Sequence, residues 1–320
     1  MVLDDIIFNK ISLAIGLSCP VVCKGCYFNF PKENLKGLKG CSSSSSILTV
    51  DEISKFLRKV MAKQPLGQVT LCGGDPFTYP HVIEVIKLCK DLGLRVKVDT
   101  VGTVFLGANK AIYPVKMDMP AVSLKDLSRL VDCLSIPLDG WDQESVSYFR
   151  KGRKSLFEES LQIIEMAEKD GVPLDINTVV HKGNVHGVYK ILDILNRYSS
   201  VKNVQLFQYM PIGELGYKNR KHFMLSDDHF LSALDLIRQN HYRFEVQAKT
   251  NAMRKNHYVM VDAFGQITSP ENFYENSDGE LVKEPMLVSG HIKDSVKDDL
   301  MQVAPAIKSR SKIKFLIDEQ

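Results

Sequence analysis

The sequence of 320 residues has no cysteine after Cys133 and only seven in all, an odd number. A secreted disulfide framework pairs its thiols, so this count points to reduced cysteines in a reducing compartment. No apolar run approaches the roughly 20 residues that a membrane span needs. The N-terminal MVLDDIIFNK carries acids where a signal peptide carries bases. The expectation is a cytoplasmic protein with no membrane partner. Net charge is only +3, too small for a dedicated binder of a nucleic-acid polymer but compatible with a local basic site. Neither H-E-x-x-H nor G-x-S-x-G occurs, so metal-hydrolase and acyl-transfer signatures are absent.

What is present alternates. KISLAIGL, QVTLCGG, RVKVDTVGT, CLSIPLDG, PLDINTVV and NVQLFQYMPIG read as strands. Helical stretches separate them: TVDEISKFLRKVMAKQ, opened by a Thr49/Glu52 capping box, YPHVIEVIKLCKDLG, ended by Gly93, SLKDLSRLV, SLFEESLQIIEMAEKDG, closed by Gly171, and VHGVYKILDILNRY. Six strand–helix units predict an α/β fold, a parallel sheet with outer helices. Its strands, buried on both faces, are expected as continuous apolar runs. A closed eight-unit barrel needs two more units. After residue 212 the pattern changes to the basic GYKNRKHF, a helix in SDDHFLSALDLIRQN and short strands in RFEVQA, YVMVDAFG and QITSP, with a hairpin among them. The expected architecture is a partial (β/α)6 barrel over 1–212 and a C-terminal extension, 213–320, over its mouth. KENLKGLKGCSSSSS has the composition of a mobile loop, and FLGANKAIYPVKMDMPAV is a long insertion of the kind that carries substrate contacts.

Cys19, Cys23 and Cys26, spaced C-x3-C-x2-C, follow the first strand directly. Lone core cysteines account for Cys89 and Cys133 but not for three thiols within eight residues of loop. Structural zinc takes four ligands, usually as two pairs, and no second pair is present. A 4Fe–4S cluster needs four coordination points, and three cysteines leave one iron open to a non-protein ligand.

This triad resembles that of the radical S-adenosylmethionine (radical SAM) enzymes. LCGGDPF, after the second strand, resembles the family's Gly-Gly-Glu-Pro motif, with Asp75 in place of Glu. The resemblance implies a 4Fe–4S cluster on Cys19, Cys23 and Cys26. Its open iron takes the amino and carboxylate groups of S-adenosylmethionine, and cleavage yields a 5′-deoxyadenosyl radical that abstracts hydrogen from substrate. It implies cofactor contacts from Gly73, Gly74, Asp75 and Pro76, with the methionine ammonium on Asp75. VKVDTVGT and LSIPLDG resemble further strand-end segments, implying Asp99 or Thr100 toward the cofactor and Ser135 and Asp139 toward the ribose. The family's aromatic before the third cysteine is Gly25 here, and Tyr27 is the candidate to replace it. A flavodoxin- or ferredoxin-type electron donor is implied as partner.

With no cysteine after Cys133, the auxiliary clusters of peptide-maturing members have no ligands. DINTVVHKGNVHG, VQLFQYMPIGE and KTNAMRKNHYVMVDAFGQI resemble, in that order, segments of the viperin-like members, which dehydrate nucleoside triphosphates. The match implies Asn177 and Tyr258 as catalytic candidates and adds Gln208 and Met210 to the cofactor contacts. Viperin-like members carry basic residues where this chain has Asp175, Asn203 and Gln205. Triphosphate recognition wants several cations, so the expected substrate is a less charged nucleoside- or nucleotide-like small molecule. Its anionic group is expected on the basic residues Arg153, Lys182, Lys218 and Arg220. His181 and His186 are expected on the surface. The alternatives are a peptide-modifying radical enzyme without extra clusters and a non-enzymatic iron–sulfur protein.

Overall fold

A computed structural model describes residues 9–28, 47–107, 109–254, 259–268, 273–275, 281–283 and 289–292. Tyr258, Cys41 and the segment KENLKGLKGCSSSSS lie outside the described residues. The expected alternation is there: β1 (Lys10–Gly16), α1 (Val50–Met61), β2 (Gln68–Gly73), α2 (Val82–Asp91), β3 (Arg95–Asp99), α3 (Leu124–Ser128) and β4 (Cys133–Pro137). It continues with α4 (Gln143–Phe149), α5 (Leu156–Asp170), β5 (Leu174–Val180), α6 (Val188–Leu195) and β6 (Val201–Gln208). Helix α4 has no counterpart among the expected helices. Its signal is Asp142, whose carboxylate accepts from the Ser145 N–H while the Ser145 side chain returns to the cap backbone. The Thr49/Glu52 box opens α1 as expected, and Gly171 closes α5 in the left-handed region at φ 66°.

The part after residue 212 does more than extend over one end. It forms α7 (Gly213–Lys218), α8 (Asp227–Arg238), β7 (Glu245–Lys249), β8 (Met260–Asp262), β9 (Gln266–Thr268) and β10 (Ser289–His291). Strand β7 adds parallel to β6, whereas β8 adds parallel to β1 at the opposite side. The result is one ten-stranded sheet ordered β7-β6-β5-β4-β3-β2-β1-β8-β9-β10, open rather than closed, with β9 and β10 antiparallel. The expected hairpin is β8–β9; RFEVQA is not in it, because its strand pairs with β6.

The strands also differ from the expected continuous apolar runs. Along β5, Leu174, Ile176, Thr178 and Val180 are buried while Asp175, Asn177 and Val179 are half-buried. Strand β3 alternates likewise, with Val96 and Val98 buried and Lys97 and Asp99 on the other face. The outer face packs under helices into the main core with Leu13, Ile86, Ile163 and Leu192. The inner face carries the half-buried polar residues Lys97, Asp99, Asp175 and Asn177 instead of a second apolar layer. The sheet curls: Asn177 Nδ2 on β5 donates to Asp99 Oδ1 on β3 at 3.2 Å, across the intervening β4. No described helix is long and apolar enough to cross a membrane.

Candidate active site

Each cysteine of the triad is held by a different part of the chain. The Cys19 N–H donates to Tyr113 O at 2.7 Å, and Cys19 O accepts from Ile112 and Tyr113. Ser18 Oγ bonds Tyr113 O and Val115 O. The long insertion after β3 therefore fixes the first thiol. Cys23 lies in a two-residue antiparallel ribbon with Arg150–Lys151, and Arg150 Nη1 donates to its Sγ at 3.1 Å. Arg150 Nε in turn donates to the fully buried Asp139, whose other oxygen accepts from the Val179 N–H at 2.7 Å. The Cys26 loop rests on the turn after β6: Asn219 Nδ2 bonds Lys24 O at 2.8 Å, and Gly213, at φ 74°, lies where a Cβ would strike Tyr27 O and Cys26 O.

Gly25 follows the same logic. A Cβ there would strike the Tyr209 and Phe149 rings. Aromatics from elsewhere in the fold fill the place of the missing ring. Burial, and then the charge of Cys23, push Cys26 up to about 12 and Cys19 well above the ordinary thiol range. A site that makes thiolates oppose one another wants compensating positive charge, which iron supplies. Among the described residues no three His, Cys, Asp or Glu side chains are set to grip one metal ion. A 4Fe–4S cluster, with each thiolate on a different iron, makes no such demand. The donor set fits it.

The GGDPFT turn is bolted to the segment that enters the cysteine loop. Gly73, at φ 115°, sits 2.8 Å from Ala14 backbone by its would-be Cβ, and Gly16 meets Asp75 and Gly74 backbone equally closely. Thr78 Oγ1 accepts from the Leu17 and Ser18 N–H groups and bonds Asp75 O at 2.6 Å. Asp75 itself faces inward. Its carboxylate accepts from Phe77 N–H at 3.1 Å, Thr100 Oγ1 at 2.7 Å and Val101 N–H at 2.9 Å, with no exposed surface. It caps the turn begun by Pro76 and ties it to the end of β3. Asp75, where the methionine ammonium is expected, thus has a structural role as well: three protein donors reach its carboxylate. Thr100 is taken up in the same clamp, and Asp139 in its pair with Arg150.

Asp99, Ser135 and Asp175 are in register across β3, β4 and β5, and Asn177, one step further along the same face, reaches Asp99 by its hydrogen bond. Lys97 Nζ lies 3.3 Å from Asp99. Asp175 accepts from Cys133 Sγ at 3.0 Å and Asn203 Nδ2 at 2.7 Å. Asn177 Oδ1 is buried without a partner among the described residues. Tyr27 hydrogen-bonds Cys72, whose proximity raises the tyrosine hydroxyl well above its ordinary range. The residue as a whole is 42% exposed. Gln208 is a correction: strand alternation turns it outward, where it bonds Leu225 O, Asp227 and the Asn251 N–H. Met210 is half-buried just beyond the same strand.

The expected substrate cations fare less well. Arg153 is committed to Glu159 through two bonds of 2.6 and 2.7 Å. Arg220 stacks 3.9 Å from the Tyr217 ring and donates to its carbonyl. Lys182 and Lys218 are exposed. His181 is fully buried, against expectation, among Tyr148, Phe149 and Phe223; His186 is exposed as expected. Sequence reading missed Arg150 as the Cys23 partner, and it missed Lys249 and Arg254. Lys249 pairs in register with Phe207, and both cations lie over that ring, at 4.9 and 5.1 Å. The basic run FRKGRK contained the Arg150 signal, but nothing local set it apart from its neighbours.

The family model described as the radical SAM superfamily matches residues 13–195, more than half of the chain. The AdoMet-dependent heme synthase of Methanosarcina barkeri is 30% identical over 59% of this chain and 49% of its own length. The S-adenosylmethionine-dependent nucleotide dehydratase of Lacinutrix mariniflava is 25% identical over 87% of this chain and 53% of its own. The chain thus spans about half the length of these curated relatives. Among solved structures, SuiB of Streptococcus suis bound to S-adenosylmethionine has a TM-score of 0.58 at 11% identity, over 82% of this chain and 60% of that one. Native anSMEcpe with bound AdoMet has a TM-score of 0.56 at 15% identity, over 92% and 80%. At these identities the likeness is one of fold.

Proposed function

The chain belongs to the radical SAM superfamily and is an enzyme, and from that premise we propose that it abstracts hydrogen from the sugar part of a nucleoside- or nucleotide-like small molecule. Cys19, Cys23 and Cys26 would hold the cluster, and the Gly73–Gly74 backbone, Tyr27, Asp99 and Ser135 would line the S-adenosylmethionine site. When bound, these groups supply an electron and a 5′-deoxyadenosyl radical that takes a hydrogen atom from substrate. The outcome is dehydration, decarboxylation or epimerisation, with a flavodoxin- or ferredoxin-type protein as electron donor.

The observation that carries this reading is the polar inner face. Asp99, Asp175, Asn177, Gln205 and Lys249 line up where a purely structural sheet would be apolar. Asn177 Oδ1 is a buried acceptor without a donor among the described residues, an arrangement that suits a substrate hydroxyl. The role of Asn177 is to orient the sugar, and Asp175, held in place by neutral donors, is set to accept from a second hydroxyl or amine. Relatives named a nucleotide dehydratase and a GTP 3′,8-cyclase support a nucleotide-related substrate.

The test is 5′-deoxyadenosine formation by anaerobically reconstituted enzyme against nucleosides, nucleoside uronates, nucleotides and peptides. A sugar-deuterated substrate of the right class transfers its label into 5′-deoxyadenosine. Turnover supported by a peptide and by no nucleoside-like compound would overturn the reading in favour of peptide modification.

A further inference from the structure

Two half-buried cations on the inner face make no direct ion pair among the described residues, although Asp99 attracts Lys249 from further off. Lys249, on β7, donates to Gln205 Oε1 and lies over Phe207. Arg254, in the helical turn Asn251–Arg254, lies over the same ring and donates Nη1 to Gln208 O at 2.9 Å. Its Nε is buried without a partner among the described residues. Lys97 nearby, by contrast, has Asp99. Holding two like charges around one ring, away from water, is costly unless something negative joins them. Burial and the charges of Lys97 and Lys10 bring Lys249 down to about 8 against the pull of Asp99, so the site has room for a further anion.

We propose that Lys249 and Arg254 form an anion-binding subsite beside Phe207 that takes a single anionic group of the substrate, a carboxylate or a phosphate monoester. The inference rests on the substrate space of the proposed reading and specifies its chemistry. Charge counting sets the size of the anion. Lys10, Lys97, Lys249 and Arg254 contribute four positive charges and Asp99 and Asp175 two negative ones. The balance matches one anionic group of about one to two charges and falls short of the roughly four charges of a triphosphate. The cations stand on β7 and just after it, not at positions 175, 203 and 205, so this part of the site is supplied by the residues after 212. The guanidinium offers Nε and its unused N–H groups as a fork, and the ammonium adds a point charge, which together suit a planar carboxylate or one face of a phosphate.

The test measures binding to the full-length reconstituted enzyme with S-adenosylmethionine present. The probes are inorganic phosphate, acetate, a nucleoside, its 5′-monophosphate, its uronate and its 5′-triphosphate. Phosphate or acetate should bind at millimolar concentration against a chloride background, and the better of the two identifies the source of the anion. Either the monophosphate or the uronate should bind at least tenfold tighter than the nucleoside, with no further tenfold gain for the triphosphate. Lys249→Gln and Arg254→Gln should each abolish that gain, Lys249→Arg should retain most of it, and Lys59→Gln, on the exposed side of α1, should leave it intact. Circular dichroism and cluster absorbance check that the variants are folded. Anion binding that survives both glutamine substitutions, or a triphosphate more than tenfold tighter than the monophosphate, would overturn the subsite. Anion binding that depends on both residues, with no nucleoside-like compound turned over, would leave the subsite standing and remove the nucleoside reading instead.

Discussion

At the scale of single residues, the site is decided by which charges find partners. Cys19→Ala, Cys23→Ala and Cys26→Ala should each lose the cluster of anaerobically reconstituted protein, read as iron content falling from about four per chain, while Cys41→Ala keeps it. A full iron complement without Cys23 would contradict the triad. His181 gives a pH prediction. Burial, aided by Arg150, holds its imidazole at about 3, so the folded state keeps it neutral while the unfolded chain protonates it near 6.5. Between those values the unfolded state binds the extra proton. Stability is therefore full above about pH 6.5 and declines as pH falls, by up to about 1.4 kcal/mol per unit. Denaturant midpoints from pH 7 to 4 should show this slope, and His181→Phe should flatten it, whatever it does at neutral pH.

At the scale of elements, the GGDPFT turn acts as a bracket between β1, β2 and β3. Thr78→Val keeps the shape but strands the Leu17 and Ser18 N–H groups beside the cysteine loop. Each stranded buried donor costs roughly 1–3 kcal/mol. The variant should melt lower even without cofactor and should reconstitute less iron. An unchanged melting temperature would show that water replaces the hydroxyl. Asp75→Asn belongs to the same element. One oxygen of Asp75 accepts from both Thr100 and Val101 and the other from Phe77, so an amide must turn an N–H toward one of these donors. The loss should appear in the stability of the cofactor-free protein, not only in S-adenosylmethionine affinity.

At the scale of the molecule, the residues after 212 hold the sheet at both sides. Strand β7 covers the edge of β6, and β8 covers the edge of β1 with Val261 fully buried. Helix α8 contributes Phe230, Leu234 and Ile237 to the core. A chain cut after residue 212 would expose two parallel edges and the apolar surface these side chains cover. It should be recovered as aggregate, while the full chain is monodisperse by light scattering. A soluble, cooperatively melting 1–212 fragment would show that the sheet does not need its added strands.

The sequence by itself determined what depends on neighbours in the chain. The C-x3-C-x2-C spacing, the glycines of GGDP, the Thr49/Glu52 box and the strand–helix alternation are local patterns, and local geometry reads them directly. Tertiary structure alone decided which side chains meet. Asp75 and Asp139 look like ligand contacts in sequence, but donors brought by β3, β5 and the Arg150 ribbon enclose them. Gln208 and Phe207 are adjacent in sequence and face opposite sides of the sheet, and only its curl shows which side is the site. Arg150 reaches Cys23 from 127 positions away, and Lys249 comes to lie over Phe207 because β7 pairs with β6. The physical reason is that a charge is judged by its partners, and in this fold the partners come from distant strands.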